Sequence, residues 1–219
     1  MRSISATPNA VGERTCERGP QVNIGVLGLQ GAFACHLDTL NDLGVVGRRV
    51  RRPEDLDGID GIVLPGGEST TMSNLLVSSG LFGPLRSALR DGLPAFGTCA
   101  GLILLARTVL DGRADQVGFD SLDVTVRRNG YGRQVDSFES DLVVEGFERS
   151  FHAVFIRAPV IEEVASSVTV LASVEGRPVL VREGRVLASS FHPELTPDVR
   201  IHQLFIEMVR SDSFARGRA

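Results

Sequence analysis

The 219-residue chain has no lysine, so all 23 of its basic residues are arginine. Without a side-chain amine it cannot form an imine with a carbonyl substrate, and it cannot build a Walker-type phosphate loop. Its three cysteines, Cys16, Cys35 and Cys99, show no paired spacing. That odd count argues against a disulfide framework and fits a reducing compartment such as the cytoplasm. No two His or Cys stand at metal-ligand spacing, so no metal site is expected. Long apolar runs are missing too: the densest, Leu102 to Ala106, is stopped by Arg107, far short of the ~20 residues that a membrane span needs. With a net charge of -4, nothing in the charge balance favours nucleic acid or an anionic membrane surface. The first twenty residues lack the apolar core of a secretory signal, and neither internal repeats nor low-complexity segments occur.

With 42% hydrophobic residues the chain can bury one substantial core. The expected organisation is a flexible extension over 1–21, one domain over 22–211 and a C-terminal tail over 212–219. The domain has a β-α-β rhythm. Val22 to Leu29 reads as a buried strand turned out by Gly28-Leu29-Gln30-Gly31. Phe33, Leu37, Leu40 and Leu43 then recur at helical spacing up to Gly44. Strands Val45–Val50 and Gly61–Leu64 follow, separated by a polar link, and a helix is expected over Phe82–Arg90. Such alternation implies a parallel sheet covered on both faces.

Beyond Gly112 the texture becomes alternating. Strands are expected over 122–126 and 141–145, with Asn129-Gly130 as a hairpin turn between them. Others are expected over 153–156, 168–172, 179–181 and 186–189, the last two joined by Glu183-Gly184. The closing helix carries Ile201, Leu204, Phe205, Met208 and Val209, and Pro197 is expected in its first turn.

The rest of the chain is organised around Leu93 to Leu110. A short apolar strand meets Gly97-Thr98-Cys99-Ala100-Gly101, and an apolar helical segment runs on to Arg107. Gly97 and Gly101 allow a tight turn with the helix close to the strand, leaving the Cys99 sulfur at a helix N-terminus, where partial positive charge favours the thiolate. This is a nucleophile-elbow pattern with Cys in place of Ser. A buried, inert cysteine is the bland reading of the same residues. Pro65-Gly66-Gly67-Glu68-Ser69-Thr70-Thr71, at the end of another strand, reads as an oxyanion-hole loop or as an ordinary turn, with Ser69 or Thr70 capping the helix that follows.

A cysteine nucleophile needs a base, and there are four histidines. His192 follows a strand and precedes Pro193-Glu194. In an extended segment residues two apart share a face, so Glu194 can orient the ring while the other nitrogen takes the Cys99 proton. His-Pro-Glu alone is equally what a surface turn looks like. His36 and His202, in helical patterns, read as surface or packing residues, as does His152 beside Phe151.

Taken together, the stretches Ile24–Gly31, Leu64–Met72, Phe96–Leu102, Gly132–Phe138, Phe155–Pro159 and Ser190–Thr196 resemble the class I, triad-type glutamine amidotransferases. Within that family they are most similar to the branch that serves pyridoxal 5′-phosphate synthase. Ala100 and Ile103 favour this branch over members carrying Leu and Gln there. The resemblance implies an α/β fold: a three-layer, flavodoxin-like sandwich on a mixed, mainly parallel sheet. It implies Cys99 as nucleophile, His192 as base and Glu194 as its orienter, with an oxyanion hole at Gly67 and Ala100. Glutamine is expected against Gly67, Glu68, Ser69, Arg128, Ile156 and Arg157. An arginine suits its α-carboxylate and an acid its α-ammonium.

The implied reaction releases glutamate and passes ammonia to a lyase-type synthase subunit in a hetero-oligomeric complex, with no cofactor held on this chain. Departures from the family pattern are the extension before Val22 and Cys35. Three other readings stay open: a glutaminase serving a different synthase, a related cysteine hydrolase, or a non-catalytic regulatory subunit. The last is disfavoured by the intact Cys99, His192 and Glu194.

Overall fold

Short apolar runs alternate with amphipathic segments and glycine turns, and the runs at 23–27, 61–64, 95–98 and 186–189 become strands buried along almost their whole length. The computed structural model describes residues 21–128 and 137–215. In chain order it forms β1 (Asn23–Leu27), α1 (Phe33–Asp42), β2 (Val46–Val50), β3 (Gly61–Leu64), α2 (Ser69–Ser78), α3 (Phe82–Arg90), β4 (Ala95–Thr98) and α4 (Ala100–Leu105). There follow β5 (Ala106–Val109), β6 (Leu122–Arg127), β7 (Ser137–Leu142), β8 (Phe151–Ile156), β9 (Val160–Val164), β10 (Thr169–Val174), β11 (Arg177–Glu183), β12 (Val186–Ser189) and α5 (Arg200–Ala215).

A seven-stranded sheet in the order β10-β11-β12-β4-β3-β1-β2 is the middle layer. Its strands from β12 to β2 run parallel, and the pairings β12-β11 and β11-β10 are antiparallel, as the change of texture in the sequence implied. Strand side chains alternate between the two faces. Leu27, Ile62, Leu64, Ala95, Val181 and Ala188 pack with α2, α3, α4 and the small sheet β5-β6-β9. Val26, Val63, Phe96, Leu180 and Leu187 pack with α1, α5 and the ribbon β7-β8. Each fully buried aliphatic side chain contributes about 1.5–3 kcal/mol, so both faces hold the sheet. No helix among the described residues is long and apolar enough to cross a membrane.

Several details differ from the sequence reading. The helix after Cys99 ends at Leu105 rather than Arg107, because the next loop takes its last carbonyls: Phe119 N–H donates to Leu104 O and Ser121 N–H to Leu105 O. Ala106 then turns extended, and β5 pairs parallel with β6. Strands β6 and β7 are not partners: β6 pairs with β5 and β9, and β7 with β8. The Asn129-Gly130 turn expected between them lies outside the described residues, as do residues 1–20. Strand β7 covers Ser137–Leu142 rather than 141–145, and β9 was not anticipated, because Glu162-Glu163 breaks its apolar pattern.

Pro197 lies ahead of α5, whose start is marked by Asp198 Oδ1 accepting from the Arg200 N–H at 3.1 Å. The backbone of α5 continues to Ala215, four residues into the expected tail.

Candidate active site

The candidate residues gather at the C-terminal edge of the parallel strands, where ligands of open α/β sheets bind. Strands β3, β4 and β12 are adjacent and parallel, with Leu64 beside Gly97 and Ser189 beside Thr98. Their ends therefore deliver the Gly66-Gly67 loop, Cys99 and His192 to one place.

Cys99 sits between β4 and α4 at φ 48°, ψ -101°, a conformation that L-residues rarely adopt. Its N–H donates to Ser189 O at 2.8 Å, which ties the elbow to β12. The close approach of helix to strand needs Gly101, since a Cβ there would run into the Leu64 carbonyl. Cys99 is 7% exposed, and its sulfur is 4.0 Å from Ile156 O.

His192 is anchored by its N–H to Val154 O at 2.9 Å. Its Nδ1 is 2.7 Å from Glu194 Oε1, and its ring lies close enough to Cys99 for the two to interact. The expected His192–Glu194 contact is present, but Pro193–Leu195 forms a 3₁₀ turn rather than an extended segment. The turn curls the carboxylate back under the ring. Burial alone would lower the His192 pKa, but the contacts with Cys99 and Glu194 outweigh it and raise it to about 10. Burial likewise works to raise the Glu194 pKa, yet the bond from His192 and the nearby His36 hold it below the ordinary carboxylate value.

Beside these groups lies a cleft of about 360 Å³, near the lower end of small-molecule sites. Gly67, Glu68, Ser69, Arg128, Ile156 and Arg157, all expected from the sequence, line it together with Cys99 and His192. Arg157 has φ 43°. Ala100 is buried as the first residue of α4, so its N–H has no carbonyl partner one turn back.

Glu68, rather than Ser69 or Thr70, caps α2: its carboxylate accepts from Thr70 N–H at 3.1 Å and Thr71 N–H at 2.6 Å. Partial burial would raise the Glu68 pKa, but the bonds from Thr71 and Thr70 bring it down to about 2. Arg128 Nη2 reaches Glu68 Oε1 at 3.0 Å.

Four neighbours escaped the sequence reading as site residues, and one of them, Ile103, adds an apolar side chain to the cleft wall. Gln30 lines the cleft, and its Oε1 accepts from Glu68 N–H at 3.0 Å. A polar side chain ending an otherwise apolar strand was its one signal. His36 and His202, expected at the surface or in packing, are fully buried behind Glu194. Single histidines on helical faces gave no hint that α1 and α5 would bring them together. His152 is exposed and lies between Asp141 at 2.9 Å and Glu139 at 3.1 Å on the β7-β8 ribbon, away from the cleft; bonds to these two acids raise its pKa.

Comparison with known proteins identifies the family of the chain. Residues 26–211 match the SNO glutamine amidotransferase family. A Mycobacteroides abscessus protein named pyridoxal 5′-phosphate synthase subunit PdxT is 56% identical over 188 residues, covering 86% of this chain and 97% of the relative. A protein of the same name from a Parafrankia species is 55% identical, covering 90% and 98%. A crystal structure described as a glutamine amidotransferase superposes with a TM-score of 0.81 at 49% identity, covering 85% and 98%.

Proposed function

Because the chain belongs to the SNO glutamine amidotransferase family, we propose that it is the glutaminase subunit of pyridoxal 5′-phosphate synthase. In this reading it hydrolyses L-glutamine to L-glutamate and ammonia, and the ammonia passes to the synthase, or lyase, subunit in a hetero-oligomeric complex in the cytoplasm. The glutaminase domain is residues 22–211, with 1–21 as an extension. The observation that carries the proposal is the strained Cys99 elbow beside His192, with Glu194 bonded to the ring, on the wall of one cleft.

In this mechanism the Cys99 proton passes to His192, whose pKa, raised to about 10, favours the imidazolium. The thiolate attacks the amide carbon of the glutamine side chain. The backbone N–H groups of Gly67 and Ala100 receive the developing oxyanion. His192 gives its proton to the leaving nitrogen, the C–N bond breaks, and ammonia departs from a γ-glutamyl thioester. The neutral ring then removes a proton from water, whose oxygen attacks the thioester. The C–S bond breaks, and glutamate leaves the thiolate–imidazolium pair restored. Glu194 accepts from the ring throughout and keeps its other nitrogen turned toward the chemistry. In the cleft, Arg128 and Arg157 suit the α-carboxylate of glutamine and Glu68 its α-ammonium.

The test is Cys99→Ala in complex with the synthase subunit. Glutamate release falls roughly 10³-fold or more, while synthesis from free ammonia continues. Glutamate release that survives the substitution overturns the assignment.

A further inference from the structure

Behind Glu194 lies a second layer of polar groups for which the reaction above has no use. His36 from α1 and His202 from α5 are both fully buried, and His36 Nδ1 is 2.9 Å from His202 Nε2. On its other side, His36 Nε2 is 3.5 Å from Glu194 Oε2 and 3.4 Å from Thr98 Oγ1. Phe96 meets both imidazoles edge-on, with ring centroids 6.3 Å and 5.8 Å away. While Glu194 Oε1 is satisfied by His192, Oε2 is buried with no hydrogen-bond partner among the described residues, as is His202 Nδ1.

Those two orphan atoms decide where the protons sit. If His36 carried its proton on Nδ1, it would donate to His202 Nε2. His202 would then hold its own proton on Nδ1, a buried donor with nothing to receive it, and His36 would turn a lone pair toward a carboxylate. The reverse arrangement removes both penalties. His202 Nε2–H donates to His36 Nδ1, and His36 Nε2–H points at Glu194 Oε2. Only an acceptor, His202 Nδ1, is left bare, which costs less than a buried unpaired donor. At 3.5 Å the His36–Glu194 contact is electrostatic, and about half an ångström of ring movement makes it a hydrogen bond.

We propose that His36, itself oriented by His202, is a positioning residue for the glutaminase reaction: it holds the second oxygen of Glu194 so that the first stays aimed at His192. This rests on the triad reading above and extends it inward by two residues. The titratable groups facing Glu194 are His192 on its own turn, His36 from α1 and, behind that, His202 from α5; Thr98 adds a hydroxyl from the end of β4. Burial depresses the His36 and His202 pKa values, the latter to about 3, so both supply a neutral N–H rather than a second charge.

The test uses the complex with its synthase subunit and the pH profile of glutamate release. His36→Leu removes the donor and leaves the Glu194 carboxylate less stabilised. The acid limb of kcat is expected to move to higher pH by about half a unit to one unit. On the plateau kcat falls roughly ten- to a hundredfold, the equivalent of one hydrogen bond to a charged group, while KM for glutamine stays near wild type because His36 does not line the cleft. His36→Gln, which restores an N–H toward Glu194, returns the limb most of the way. A folded His36→Leu enzyme whose acid limb stays at the wild-type pH overturns the proposal.

A measurement on the unsubstituted protein covers the case in which the variant does not fold. ¹⁵N shifts of the histidine rings are expected to show His36 and His202 both neutral and protonated at Nε2 at pH 7. A His36 protonated at Nδ1 overturns the proposal equally. If Cys99→Ala retains activity, the triad itself has failed. If Cys99→Ala is inactive and the limb does not move in His36→Leu, only the role of His36 has failed.

Discussion

Glu68 and Arg128 face each other across the mouth of the cleft at 3.0 Å, and each bears the charge opposite to one end of a free amino acid. The pair is partly exposed, so it contributes little to stability and separates at small cost. In the proposed function an amino acid entering the cleft would exchange one ion pair for two, with its carboxylate on Arg128 and its ammonium on Glu68.

Arg128→Ala is therefore expected to raise KM for glutamine roughly ten- to a hundredfold with a smaller change in kcat, and Arg128→Lys to recover only part of the loss, because the planar fork is gone. Glu68 has a second duty as the cap of α2. Glu68→Ala raises KM and also costs about 1 kcal/mol of stability, read by urea denaturation, whereas Arg128→Ala leaves stability near wild type. Equal KM values for wild type and Arg128→Ala would remove Arg128 from the substrate site.

The charge state of the triad makes a pH prediction. His192 is raised from 6.5 to about 10 in the folded chain, so its contribution to stability is fully present below 6.5 and is lost as pH rises through about 10. Glu194, held below 4.5, contributes above that value and loses its contribution as pH falls through its depressed pKa. Both terms are complete only between 4.5 and 6.5. Since Cys99 is one of the groups that raises His192, the NMR titration of the His192 ring is expected to move to lower pH in Cys99→Ala. An unchanged titration would mean that sulfur and ring are not coupled.

Packing at the elbow gives a third prediction. A Cβ at Gly101 would collide with the Leu64 carbonyl, which is backbone of the adjacent strand and cannot swing aside. Gly101→Ala is expected to cost about 1–3 kcal/mol in chemical denaturation and to displace Cys99, lowering kcat. A variant as stable and as active as wild type would show that α4 does not need this closeness.

The frame of the fold was legible because its signals are local. The buried runs 61–64 and 186–189, the helix stopped just ahead of Gly44 and the Glu183-Gly184 turn each announce themselves within about ten residues. The elbow was legible for the same reason, since two glycines flank one cysteine between a strand and a helix. What went unread depends on distant partners. β5 becomes a strand because the loop at Phe119 and Ser121 takes the carbonyls that would have continued α4. β6 and β7 read as a hairpin because a turn dipeptide lies between them, yet the small sheets recruit β9 and β8 instead. His36 and His202 are 166 positions apart, and no periodicity in either helix discloses that they meet.

The register of β12 beside β4 also sets a timetable. During synthesis one edge of β4 has no permanent neighbour until residues 186–189 leave the ribosome, and His192 follows only then. Until that moment the thiol has no imidazole and its elbow no anchor on Ser189, so a nascent or truncated chain carries an unarmed cysteine. On the proposed triad, completion of the sheet and onset of reactivity would coincide.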